Sequence, residues 1–152
     1  MQLVHNNGKH NHRKLLQELI QDSETSVLCS GWINLAGLKR LMGSIDLAIR
    51  NKASITVFSN RKHTEAGAVE ALRMRPEVRH FIANEDHRYL HSKIYYFEKG
   101  GQYTALIGSG NITRGGLVSN EELSIRLTGT IGDARQEQIS AYLTNLQVVL
   151  KR

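Results

Sequence analysis

The sequence predicts an α/β fold, a mixed, mostly parallel β-sheet flanked by helices on both faces. Three observations predict it. Short apolar runs such as SITVFSN alternate with longer segments whose apolar residues recur at helical spacing. The first three runs are separated by such helices, which demands parallel crossovers. The later runs follow one another through short turns and so add antiparallel neighbours to the same sheet.

Taken in order, the segment from His10 to Gln21 places Leu15, Leu16, Leu19 and Ile20 at helical spacing. Ser26 to Ile33 (SVLCSGWI) reads as a buried strand. Leu35 to Lys52 carries Leu38, Leu41, Met42, Ile45 and Ile49 on one helical face. Ser54 to Asn60 is a second strand, and Thr64 to Met74 a crossover helix ended by Pro76. Val78 to Asn84, His91 to Lys99, Tyr103 to Gly110 and Glu122 to Thr128 are further strands. Asp133 to Leu150 closes the chain as a helix with Ile139, Leu143, Leu146 and Val149 or Leu150 as its stripe. No repeat, low-complexity tract or linker divides the chain, so one domain over residues 1–152 is expected.

Composition narrows the function classes. An apolar content of 40% with a single proline fits a packed core rather than disorder. Cys29 is the only cysteine, which excludes an intrachain disulfide and suits a reducing compartment. The start, MQLVHNNGKHNHRK, is polar, and no stretch has membrane-spanning length, so a cytoplasmic protein without stable membrane association is expected. A net charge of +6 favours a polyanionic partner, because a basic surface attracts phosphates.

The chemistry is concentrated in HSKIYYFEKGGQYTALIGSGNITRGG, His91 to Gly116. His91 and Lys93 are two residues apart, as are Ser109 and Asn111, so each pair shares a strand face. If Gly100 to Gln102 forms a three-residue hairpin loop, Lys99 pairs with Tyr103, His91 falls opposite Asn111, and Lys93 falls opposite Ser109. Opposed residues lie on one face with Cβ atoms roughly 4.5–5.5 Å apart, so the four polar groups converge. Burying them inside such apolar runs without partners costs several kcal/mol, which a bound phosphate or mutual hydrogen bonds would offset.

HSK followed by GSGN resembles the signature of the phospholipase D superfamily, His-x-Lys-x4-Asp and then Gly-Ser-x-Asn. Glu98 stands where that family carries Asp, and by strand parity it faces away from His91 and Lys93. The interval from Glu98 to Gly108 is three residues longer than the family's common spacing. The segment NITRGGLVSNEELSIRL is similar to the nuclease branch, in which an acidic residue follows the motif Asn by about eleven positions; Glu122 fits, with Glu121 as the fallback. SVLCSGWINLAGLKRL and SITVFSN look like the opening strand, helix and second strand of restriction endonucleases in the same superfamily.

The resemblance implies a phospholipase D-like α/β/α sandwich and a phosphodiesterase that uses neither metal nor cofactor. It implies two motif copies meeting across a two-fold axis, hence a homodimer, since this chain carries one copy. His91 of one subunit then attacks phosphorus to form a phosphohistidine while His91 of the other protonates the leaving oxygen. Glu122 orients the imidazole, Lys93 and Asn111 stabilise the phosphorane, and Ser109 donates a further hydrogen bond. Arg114, Gly110 and Thr113 beside the motif, Arg61 and Lys62 after the second strand, and Trp32 at the rim are the expected substrate contacts. His87 and Arg88 carry no assigned role. His10 and His12, near His5, form a His-x-His pair that reads as a solvated helix start rather than a metal site.

Nucleic acid, DNA first, is the expected substrate, with a restriction or defence role. A phospholipid phosphodiesterase and a non-catalytic nucleic-acid-binding module are the alternatives. The glycine-rich GSGNITRGG lacks P-loop spacing, and its glycines are expected to let backbone approach phosphate.

Overall fold

Seven strands form one sheet in the order β1-β7-β6-β5-β2-β3-β4. The structure is a computed structural model and describes residues 1–150. The strands are β1 (Gln2–His5), β2 (Thr25–Ser30), β3 (Ser54–Asn60), β4 (Val78–Ala83), β5 (Lys93–Lys99), β6 (Gln102–Gly108) and β7 (Leu123–Thr130). The helices are α1 (His12–Asp22), α2 (Leu35–Arg50), α3 (Ala66–Arg73) and α4 (Ala134–Leu150), and a π-helical turn spans Gly115–Ser119.

Helices cover both faces, as the periodicity predicts. Leu15, Leu16 and Ile20 of α1, Leu38, Leu41 and Ile45 of α2, and Ala68 and Leu72 of α3 pack on Leu28, Ile55, Val57, Tyr95 and Phe97. On the opposite face Ile139, Leu143 and Leu146 of α4 pack on Cys29, Phe58, Ile94, Tyr96 and Ala105. The alternation of Tyr95 and Phe97 against Ile94 and Tyr96 shows why KIYYF is apolar throughout: both faces of β5 are buried. The N-caps of α1 and α2 are Asn11 and Asn34, whose side chains accept from the backbone N–H of Lys14 and Gly37.

The balance of strand directions differs from the sequence expectation. β2–β3 and β3–β4 are parallel, whereas β2–β5, β5–β6, β6–β7 and β1–β7 are antiparallel, so the sheet is mixed but mostly antiparallel. Helix crossovers dictate only the first half, and β5 to β7 insert beside β2 as a meander. The edge strand β1 was not legible, because only Val4 of its four residues is buried.

The hairpin register is also corrected. Lys99 pairs with Gln102, so the loop is Gly100–Gly101 rather than Gly100 to Gln102. Both glycines have positive φ, 53° and 76°, as a two-residue loop with the twist of its flanking strands requires. The pairing therefore moves by one residue, and Lys93 is no longer opposite Ser109.

The expected first strand ends at Ser30, three residues early. Ile33 leaves the sheet and bridges Thr64 and Ile112 instead.

Candidate active site

β2 and β3 end, and β5 and β7 begin, at one edge of the sheet, and β6 ends there too. The carboxyl ends of parallel strands are where open α/β sheets hold their ligands. His91, Ser109, Asn111 and Glu122 all lie just outside the strands at this edge, and Lys93 is the first residue of β5. The expected convergence therefore occurs, although not by direct cross-strand opposition.

Tertiary contacts do the positioning. Asn60, fully buried at the end of β3, accepts from the Leu90 N–H at 3.0 Å and donates its amide to the Leu90 carbonyl. This pair of hydrogen bonds between side chain and backbone fixes the residue before His91. Gly31 lets the same segment pass closely, since a Cβ there would stand 2.9 Å from the Leu90 carbonyl oxygen and 3.4 Å from the His91 Cα. Lys93 Nζ donates to the His91 carbonyl at 2.9 Å and lies 3.3 and 3.5 Å from the two ring nitrogens. Partial burial pulls the Lys93 pKa down, and the Glu122 carboxylate opposes that shift.

On the other side of the site, Ser30 accepts from the Ile112 N–H at 2.9 Å, and the Trp32 N–H donates to Asn111 Oδ1 at 3.2 Å. Ser30 and Lys93 are paired across β2 and β5, so these contacts carry Asn111 toward Lys93. Tyr95, buried, donates its hydroxyl to the Gly110 carbonyl at 2.7 Å. Ser109 donates to the Glu122 carboxylate, and the Leu123 N–H donates back to Ser109 Oγ at 3.1 Å. Of the two adjacent acids, Glu122 faces the cluster. Glu121 accepts from Asn7 at 2.6 Å on the far side. Within one chain the Glu122 carboxylate is engaged by Ser109 rather than by the His91 ring.

An open cleft of about 880 Å³ adjoins these groups, lined by His91, Lys93, Ser109, Leu123, Ile139 and Tyr142 among others. Arg114 is exposed at the start of the π-helical turn, and Arg61 and Lys62 are exposed in the loop after β3. Trp32 is 47% exposed and stacks on His63 of that loop. Thr113 serves the turn itself, accepting from the Gly116 N–H at 2.9 Å.

Gly110 and Gly116 are buried and closely packed: a Cβ on Gly116 would strike the Asn111 backbone, and one on Gly110 would stand 3.1 Å from the Gly116 carbonyl oxygen and 3.3 Å from the His12 ring. His12 is not a solvated helix start but fully buried. Asn6 donates its amide to the Gly116 and Asn120 carbonyls, so its oxygen faces His12 Nδ1 at 2.8 Å. Nδ1 therefore carries the proton, and Nε2 accepts from Ser124 Oγ at 2.8 Å. Burial lowers the His12 pKa, with Glu122 pulling the other way, which agrees with a neutral ring. Among the described residues no three His, Cys, Asp or Glu side chains gather to hold a metal ion.

Asn60, Ser30, Tyr95 and His12 were missed as supporting residues. Their only sequence signal was a polar atom inside an apolar run or, for His12, a position on the face of an apolar stripe.

An imidazole, an ammonium, an amide, a hydroxyl and a carboxylate gathered at one edge form a set suited to phosphoryl transfer. The fold is similar to that of Nuc from Salmonella typhimurium, a phospholipase D family member, with TM-score 0.71 and 13% identity over 96% of this chain and 90% of that one. NucT from Helicobacter pylori aligns with TM-score 0.66 and 13% identity over 91% and 86%. Yeast tyrosyl-DNA phosphodiesterase aligns with TM-score 0.59 and 14% identity over 86% of this chain and 32% of that one. No curated protein sequence matches the chain. The sequence model of the NgoFVII restriction endonuclease N-terminal PLD domain matches residues 10–148, nearly the whole chain, and the protein belongs to that phosphodiesterase family.

Proposed function

We propose that residues 1–152 act as one domain, a metal-independent endonuclease that hydrolyses DNA through a phosphohistidine. The observation that carries this reading is the convergence of His91, Lys93, Ser109, Asn111 and Glu122 on one sheet edge from three separate segments. His91 attacks phosphorus, Lys93 neutralises charge that builds on the non-bridging oxygens, and the Asn111 amide donates to one of them. One imidazole cannot be bonded to phosphorus and protonate the leaving group as well, so a second His91 from a two-fold-related copy completes the site. Glu122, held by Ser109 within the chain, keeps negative charge near Lys93 and so favours its ammonium form.

Similarity to restriction endonucleases and the net charge of +6 favour DNA in a cytoplasmic defence role. Among the described residues no helix is long and apolar enough to cross a membrane. The apolar cleft walls at Ile94, Ile107, Leu123 and Ile139 favour one second reading, a phospholipid phosphodiester.

Incubation with plasmid DNA and with phosphatidylcholine vesicles, each with and without EDTA, tests both. Plasmid nicking that persists in EDTA is expected. Activity lost in EDTA and restored by Mg²⁺ overturns the mechanism, and choline release without nicking favours the lipid reading.

A further inference from the structure

Four aromatic rings from three loops form a continuous ladder that ends at the catalytic imidazole. Trp32, after β2, stacks on His63, after β3, with centroids 4.5 Å apart and planes 18° apart. Tyr89, before β5, meets His63 edge-on at 5.7 Å and joins its hydroxyl to His63 Nε2 at 2.8 Å. Tyr89 in turn stacks on His91 at 6.0 Å with planes 23° apart.

The fold does not need this ladder for its core. Tyr95, Tyr96 and Tyr103 are at most 3% exposed, whereas Trp32 is 47% and Tyr89 50% exposed. Large ring surface left in water next to a reactive group marks a binding surface rather than packing. Arg61 and Lys62 precede His63, and Arg88 precedes Tyr89, all three exposed, so each outer loop pairs an aromatic with a cation. Aromatic faces interleaved with cations are what an unpaired nucleic-acid strand requires: bases stack on rings while phosphates meet the charges. In a duplex the base faces are already stacked on each other and cannot use such a surface.

We propose that Trp32, His63 and Tyr89 form a nucleobase platform beside the scissile phosphate, so that the segment bound next to His91 is unpaired, either a single strand or locally melted DNA. This rests on the nuclease reading above and specifies its substrate. His63 and Tyr89 thereby gain a role, and so does Arg88.

Trp32 is the sole tryptophan, so its fluorescence reports the platform directly. A His91→Gln background prevents turnover during titration with three labelled probes: short oligothymidylate, an abasic strand of equal length, and the corresponding duplex. Oligothymidylate is expected to quench Trp32 and bind more tightly than the abasic strand or the duplex. Trp32→Ala and Tyr89→Ala should each weaken oligothymidylate binding about tenfold or more, and the abasic strand at least several-fold less. Trp32→Phe should restore most of the affinity. Circular dichroism melts and sedimentation of each variant accompany the titrations.

Equal weakening of both strands, or none, overturns the platform. So does a loss of binding that follows loss of dimer in sedimentation, which would make the ladder a surface between copies of this chain. In the wild-type protein, quenching by oligothymidylate without cleavage of any strand overturns the nuclease reading and keeps the platform. Cleavage indifferent to Trp32 and Tyr89 overturns the platform alone.

Discussion

The backbone N–H of Trp32 donates to Asn111 Oδ1 at 3.2 Å, which leaves the Asn111 amide nitrogen as the end free to meet a phosphate oxygen. Ser30 Oγ stands 3.3 Å from the same oxygen. Asn111→Asp keeps an acceptor for Trp32 but replaces the donor with a second oxygen and adds charge of the wrong sign. It should lose on the order of 10²–10³ in kcat, as much as Asn111→Ala, with an unchanged circular dichroism spectrum. Steady-state hydrolysis of a chromogenic phosphodiester checks this.

A shared site makes a distinct prediction for mixed dimers. His91→Ala alone should leave no measurable turnover. Wild-type and His91→Ala chains, unfolded together in equal amounts and refolded, should retain about a quarter of the activity of wild type, since only wild-type pairs carry two imidazoles. A linear fall to about one half means that each chain owns a complete site.

Tyr95 supports the motif loop from below through its 2.7 Å bond to the Gly110 carbonyl. Tyr95→Phe keeps the ring but leaves that buried carbonyl short of its donor, a cost of about 1–3 kcal/mol. Calorimetry should show a fall of roughly 2–4 °C in Tm for each kcal/mol.

Gly37, in the first turn of α2, allows that helix to press on the loop after Asn111. A Cβ there would stand 2.5 Å from the Ile112 carbonyl oxygen and from Thr113 Cα. Gly37→Ala must push helix and loop apart, at about 1–3 kcal/mol by the usual cost of overpacking. Thermal melts should show the loss, and kcat should fall with it, because Asn111 moves with its neighbours.

His80 predicts the acid side of the stability profile. It is largely buried with Nε2 2.8 Å from Ser59 Oγ, and burial pushes its pKa down to about 4. The unfolded chain takes up that proton near pH 6.5, so between about 6.5 and 4 the unfolded state binds more protons than the folded one. Stability is therefore full above about pH 6.5 and falls as pH drops toward 4, by on the order of 3 kcal/mol. The buried His12, also lowered, adds to the same trend. Urea melts across this range should show the slope, and His80→Gln should flatten it.

Local periodicity made most of the elements legible. The stripe Leu38, Leu41, Ile45 and the bounds Ser54–Asn60 appear as read, because the spacing of apolar residues records which face of an element is buried. The chemical inventory of the site was legible too, since His91, Lys93, Ser109, Asn111 and Glu122 stand together in one stretch of sequence. Strand order was not: β5 to β7 join beside β2, and β1 pairs with β7 more than a hundred residues away, which no local pattern records.

The assembly of the site belongs to tertiary structure alone. Sequence parity brings the four polar groups together only with a three-residue loop, and the glycine pair closes in two. They converge all the same, because Asn60 grips Leu90, Ser30 receives Ile112, and Tyr95 holds Gly110 across separations of 30, 82 and 15 residues. Residue type and spacing determine which groups are available and which way a strand or helix faces. Where a strand has ended, parity no longer applies, and only long-range hydrogen bonds decide where a side chain goes.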